Sequence, residues 1–277
     1  MIQKQLKPIQ KELLRFFKDF EPILKKNKIE YFACGGTMIG AVREKGFIPW
    51  DDDIDLFMTR PNYDKLLDLA RKNGGKIGDF DVACGELENS LLPFCKIFDK
   101  RYELNAKGVE GDEDYLFLDI FPLDAVPDDD AERAEYFANI MKMRKAVAIS
   151  RLTYRGLFDV SKNKLTYPVK ALIKLINKCS GYDKKLLKKY LDLCKKYQPQ
   201  FGKTKWTNST IWGQVERENI HTDMLSPIKF KFEDTIINVF ADYDYYLTNY
   251  YGDYMKRPKV SERQTHDIEI IKIKEAK

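Results

Sequence analysis

Histidine is nearly missing from this chain: two in 277 residues, His221 and His266. No Ser-His-Asp or Cys-His order can be traced with so few, so nucleophilic hydrolysis of those types has no support. The five cysteines (Cys34, Cys84, Cys95, Cys179 and Cys194) are odd in number and show no C-x-x-C spacing. They fit a reducing compartment and speak against a zinc site. No apolar run approaches the roughly 20 residues needed to span a bilayer. The first twenty residues are interrupted by Lys4, Lys7, Lys11, Glu12, Arg15 and Lys18, so they lack a secretory h-region and read as an amphipathic helix. Repeats and low-complexity tracts are absent too. The expected location is cytoplasmic, on the inner face of the cell membrane if the chain attaches there.

Apolar residues make up 44% of the chain and aromatics 13%, enough for a sizeable core. The net charge of +5 hides an asymmetry, because Met141 to Lys205 holds eighteen Lys/Arg against three Asp, leaving −10 on the rest. Leu165, Val169, Leu172, Ile173 and Ile176 share a helical face in that basic stretch, with Lys170, Lys174 and Lys178 elsewhere on the helix. Such a segment is either a set of surface lysines on packed helices or a contact for anionic lipid headgroups or a polyanionic acceptor. Nucleic acid is not an expected partner, since no helix-turn-helix, zinc-finger or RNP signature accompanies the charge.

The chemistry concentrates in Gly35-Gly36-Thr37 and in Trp50-Asp51-Asp52-Asp53-Ile54-Asp55. Read as a strand, Asp53-Ile54-Asp55 projects both carboxylates to one face and Ile54 to the other. Like charges held that close repel, and a hard divalent cation, Mg²⁺ or Mn²⁺, removes the conflict. The glycines let backbone N–H groups approach a phosphate. On a strand beginning early, Asp51 shares the face of Asp53 and Asp52 faces away. Arg43, on the helix after the glycines, and Lys96, within Phe94-Cys95-Lys96-Ile97-Phe98, are candidate phosphate ligands. A lysine in that apolar run must point to a pocket or to solvent. Trp50, beside the carboxylates, is a candidate cation–π partner or a core anchor.

The string from Gly36 through Arg43 and Trp50 to Asp55 resembles the signature of the LicD family, which contains bacterial phosphocholine transferases and is related to fukutin-type sugar-phosphate transferases. Leu118-Asp119-Ile120-Phe121-Pro122-Leu123-Asp124 resembles that family's downstream acidic strand, and Tyr246 to His266 resembles its C-terminal end. The resemblance implies an α/β nucleotidyltransferase-like core, a mixed sheet with helices, over residues 29–126. A helix over 1–28 would pack on it, and a largely helical subdomain over 127–277 would return to the active site. It also implies Asp119 as third carboxylate beside Asp53 and Asp55, a ligand and general base, and His266 as a phosphate contact or proton carrier. The implied reaction moves phosphocholine from CDP-choline, with Mg²⁺ or Mn²⁺, to a hydroxyl of a lipid-linked glycan precursor of teichoic acid or lipopolysaccharide type. Rival readings keep the site and move ribitol-, glycerol- or sugar-phosphate, join a nucleotide and release pyrophosphate, or make the chain an idle binding protein. The intact Asp53, Asp55 and Asp119 argue against the last.

Overall fold

Helix α1 (Pro8–Lys26) begins at a proline, whose fixed φ and missing N–H suit a first helical turn. Leu13, Phe16, Phe17, Phe20 and Leu24 recur at helical spacing and are buried against the sheet, while Pro22 stands on the exposed side without ending the helix. In this computed structural model, residues 7–104, 114–160, 164–211, 213–263 and 270–273 are described.

The core is a mixed sheet. After β1 (Phe32–Ala33), the glycines open a helix, α2 (Gly35–Ile39), that continues as a π-helical turn over Gly40–Glu44. Then come β2 (Asp55–Thr59), α3 (Arg60–Lys72), β3 (Lys76–Ile77), β4 (Phe80–Ala83), β5 (Cys95–Leu104) and β6 (Tyr115–Ala125). The strand order is β1-β2-β6-β5-β4-β3, with β2 and β6 parallel and the other neighbours antiparallel. From Leu116 to Ala125 every residue of β6 is buried, which is why it reads as a nearly continuous apolar run rather than an alternation.

Helices α4 (Asp130–Arg151), α5 (Tyr154–Val160), α6 (Tyr167–Ser180) and α7 (Tyr182–Cys194) follow. Asp129 caps α4 by accepting from the Glu132 N–H. The chain then returns to the sheet: β7 (Trp206–Asn208) pairs with the end of β6, and β8 (Ile220–His221) pairs with β7. A hairpin of β9 (Pro227–Phe232) and β10 (Thr235–Phe240) precedes α8 (Tyr243–Tyr251), which Gly252 ends at φ +71°, and β11 (Ile270–Ile273) pairs with β5.

One local expectation needs correction. Strand β2 begins at Asp55, and residues 51–54 have no regular structure, although the Asp119 N–H still donates to the Ile54 carbonyl at 3.1 Å. Strand β6 runs through Pro122, which is in register with Met58. The β5 ladder has ended at Ile120 by then, so one flank is open where a proline lacks its donor.

At the far end of the β2–β6 pair, Arg60 is fully buried. Its Nε and Nη2 donate to the two oxygens of Asp124 at 2.6 and 2.8 Å, and Nη1 donates to Glu86 at 2.8 Å. Lys195 closes the set on the other Glu86 oxygen at 2.8 Å. Every charge in this cluster has an opposite within hydrogen-bond reach.

Candidate active site

Sheet register assembles the site. Asp55 lies opposite Asp119 on β6, and Asp119 lies opposite Lys96 on β5. Residues directly opposite in a sheet project to one face, so two carboxylates and an ammonium form a row across three strands. All three are buried. The alternative left open for Lys96, pocket or solvent, resolves to the pocket. Its Nζ meets the Asp119 oxygens at 2.9 and 3.2 Å and lies 3.4 Å from the centroid of the Phe117 ring.

The irregular segment before β2 brings more acid. The carboxylates of Asp51, Asp52 and Asp53 lie within 4.8 Å of one another. Asp52 therefore does not face away: without a strand's alternation at 51–54, its side chain turns in with its neighbours and is buried. Helix α1 holds this segment in place. The buried Gln10 amide donates to the Ile48 and Asp51 carbonyls at 3.1 and 2.9 Å, and Lys7 Nζ donates to the Trp50 carbonyl at 3.2 Å. Sequence reasoning missed Gln10, because a glutamine on an amphipathic helix carries no signal of what its amide will meet.

The glycine turn closes against the acids. Gly35 adopts φ +53°, which favours glycine, and a Cβ there would stand 3.3 Å from Asp55 Oδ2. A Cβ on Gly36 would stand only 2.7 Å from Asp51 Oδ2. The bare glycines thus make room for two carboxylates at the start of α2. Thr37 is buried and accepts the Asp55 N–H on its hydroxyl at 2.9 Å, fastening the first residue of β2 to that turn.

Electrostatically the site is one-sided. Burial pushes the Asp55 carboxyl well above its usual range, and Asp53, Asp119 and Asp51 push it further, while Lys96 opposes. Asp55 Oδ1 is buried and accepts no hydrogen bond. Among the described residues, five carboxylates, with Asp55 Oδ1 buried and unsatisfied, face one buried lysine, a donor set suited to a hard divalent cation.

The remaining expected residues sit less centrally. Arg43 pairs with Glu44 at 2.9 Å and donates to the Tyr254 carbonyl, and Arg257 also pairs with Glu44, so this network fastens the segment after α8. Trp50 is half-buried, and the Arg263 guanidinium lies over its ring at 4.1 Å. His266 lies outside the described residues. His221, on β8, pairs with Asp242 at 2.6 Å.

Two further groups went unread in the sequence. Tyr251 brings its hydroxyl to 3.7 Å from a Gly35 Cβ position, beside Asp55. Glu218 is wholly buried behind the same turn, and neither of its carboxylate oxygens has a hydrogen-bond partner. Burial raises its carboxyl well above the usual range, and Arg144 opposes. Glu218 in turn helps burial raise the Tyr250 and Tyr251 hydroxyls. A lone Glu between Arg217 and Asn219 offers no periodicity from which to infer this.

Comparison with known proteins agrees with this geometry. Residues 28–125 match the nucleotidyltransferase domain of the LicD/FKTN/FKRP family, a span that holds the glycine turn, the acidic segment, Lys96 and Asp119. Over that span the chain is similar to the LicD family, as its motifs suggest. It is 28% identical over 253 residues to the lipopolysaccharide cholinephosphotransferase LicD of Haemophilus influenzae, covering 90% of this chain and 91% of that protein. An uncharacterized protein of Rickettsia typhi is 34% identical over 93 residues, 32% of this chain and 30% of its own length. One of Rickettsia prowazekii is 48% identical over 44 residues, 16% of each chain. The LicD family is thus legible in the matched motifs, and the mixed α/β architecture accords with them.

Proposed function

We propose that this chain is a metal-dependent transferase that moves phosphocholine from CDP-choline to a hydroxyl of a lipopolysaccharide-type glycan, releasing CMP. The observation that carries the reading is the Asp55–Asp119–Lys96 row beside Asp51–Asp53, in a chain alignable over nine-tenths of its length with a cholinephosphotransferase. Asp53, Asp55 and Asp119 would hold Mg²⁺ or Mn²⁺, with Asp51 beside them. When bound, the metal would neutralise charge on the donor's phosphates and on the departing CMP.

The acceptor oxygen forms a bond to the phosphorus that bears choline as the bond from that phosphorus to the CMP oxygen breaks. CMP leaves with the electron pair, and the hydroxyl proton passes to a carboxylate, a role we assign to Asp119. Lys96 holds that carboxylate at 2.9 Å, orienting it and offsetting the negative charge around it. Thr37 and Gln10 keep Asp55 and the 48–51 segment in position through backbone hydrogen bonds.

A second reading, transfer of ribitol-, glycerol- or another sugar-phosphate, is favoured by one observation. The Trp50 ring, the candidate cation–π partner for choline, already carries the Arg263 guanidinium on one face. A screen of CDP-linked donors for Mg²⁺-dependent CMP release separates the two. CDP-choline as the preferred donor supports the first reading, and preference for a CDP-polyol supports the second. Release of pyrophosphate instead of CMP overturns both.

A further inference from the structure

Helix α6 is built inside out. Val169, Leu172, Ile173 and Ile176 are 61%, 57%, 51% and 55% exposed, and Leu175 and Cys179 are exposed beside them. No residue of α6 is buried. The side turned toward the rest of the protein carries Lys170, Lys174 and Asn177: Lys174 donates to the Ser150 carbonyl at 2.6 Å, and these three, with Ile173 at the edge, border a groove that also holds Leu157, Leu186 and the buried Asp183. Burial raises the Asp183 carboxyl, and Lys174 opposes that shift.

Among the described residues, the run from Ile149 to Tyr182 holds more exposed large hydrophobic side chains than the rest of the chain together. Ile149, Phe158 and Tyr182 extend the patch beyond α6, and the groove between α4, α6 and α7, of about 480 Å³, opens beside it. A contiguous apolar patch of this kind marks an interaction surface. Its charge identifies the partner. From Lys164 to Lys189 the chain carries eight lysines against a single acid, Asp183, and Lys164, Lys178, Lys184 and Lys185 are exposed. An apolar helical face rimmed by lysines is complementary to the headgroup–acyl boundary of an anionic bilayer, where the side chains enter the hydrocarbon and the ammonium groups meet lipid phosphates. No helix among the described residues is long and apolar enough to cross a membrane, so the contact is one of lying on the surface.

We propose that α6, with the adjoining ends of α4 and α7, is a membrane-docking face that lies in the interface of an anionic lipid surface. This holds whichever phosphate the site transfers. It gives a soluble donor and a lipid-anchored acceptor a common meeting place.

The test uses the full chain and flotation with phosphatidylcholine vesicles containing about one-third phosphatidylglycerol. The protein is expected to float with them at about 0.1 M salt and to lose at least about tenfold in affinity at about 0.5 M. The double variant Leu172→Gln/Ile176→Gln, both outward-facing, and the triple variant Lys178→Glu/Lys184→Glu/Lys185→Glu should each abolish flotation. Both should keep the wild-type circular dichroism spectrum and wild-type CMP release from a soluble donor. Failure of the wild type to float, or flotation that both variants retain, overturns the proposal. A concentration-dependent dimer that the Leu172→Gln/Ile176→Gln variant loses, with no vesicle binding, overturns it too and makes the face a contact between copies of this chain.

Discussion

Strand pair β2–β6 carries buried charge at both of its ends, and the two ends solve the problem differently. At the far end Arg60 and Asp124 bind each other through two hydrogen bonds, Glu86 and Lys195 complete the buried set, and the more exposed Asp64 lies 3.7 Å from Arg60. At the near end, five residues earlier on each segment, Asp55 and Asp119 stand side by side with Asp51, Asp52 and Asp53 close by and, among the described residues, Lys96 as their one buried cation. The first arrangement is complete within the protein and holds α3, β6 and α7 together. The second leaves Asp55 with an unsatisfied oxygen and a carboxyl that resists ionisation, at a cost in stability the fold alone does not require. Balanced burial needs nothing from outside the protein, and the one-sided burial is what the proposed cation would relieve.

The largest expected effect is at the balanced end. Arg60→Met leaves Asp124 and Glu86 buried without their shared partner, and should lower unfolding free energy by about 3–5 kcal/mol, with no recovery on adding Mg²⁺. Urea denaturation measures it. A loss below about 1 kcal/mol, or full rescue by the metal, would erase the distinction between the two ends.

At the one-sided end the sign reverses. Asp53→Asn and Asp55→Asn should each cut turnover at least about 10²-fold while leaving the metal-free protein as stable as wild type or more so, because each removes a carboxylate from a repelling group. Near wild-type CMP release at limiting Mg²⁺ from either variant removes it from the metal site.

This contrast shows where the sequence was legible. The motif string placed Gly35, Gly36, Asp53 and Asp55 in one neighbourhood because tight turns and acidic strands have short-range signatures, and Asp119 was added only by the resemblance to the LicD family. Helix α1 was readable for the same reason: its amphipathic periodicity is local. What lay beyond reach is set by distant partners. Lys96 finds Asp119 through strand register, Gln10 finds the 48–51 carbonyls through helix packing, and Glu218 is buried by elements on both sides of it. The inversion of α6 was half legible: its amphipathic pattern was plain, but which face would be outward depends on tertiary packing.

A pH series sharpens the comparison further. The Asp55 and Glu218 carboxyls sit above their unfolded values, so the native state holds protons that the unfolded chain has already released. Their contribution is therefore fully present below the unfolded carboxyl pKa of about 4 and is lost as pH rises through the raised values. Thermal unfolding of metal-free protein should show this decline, and Asp55→Asn or Glu218→Gln should each flatten it. Added Mg²⁺ should raise the melting temperature more at pH 8 than at pH 5, and should do so in Glu218→Gln but not in Asp55→Asn. A metal effect independent of pH would uncouple the cation from these carboxylates.

The smallest effect concerns Trp50. With Arg263 over its ring, Trp50→Leu should weaken CDP-choline and CDP equally, by about two- to fivefold, as loss of a wedge beside the acidic segment. A selective loss of CDP-choline would return the ring to the head group and strengthen the choline reading.

Mn²⁺ titration by calorimetry, on the wild type, Asp55→Asn and Arg60→Met, tests most directly whether the one-sided cluster is a cation site. Wild type should bind Mn²⁺, Asp55→Asn should bind at least about tenfold more weakly, and folded Arg60→Met should bind as wild type does. No uptake by the wild type, or equal affinity in the wild type and Asp55→Asn, would contradict it.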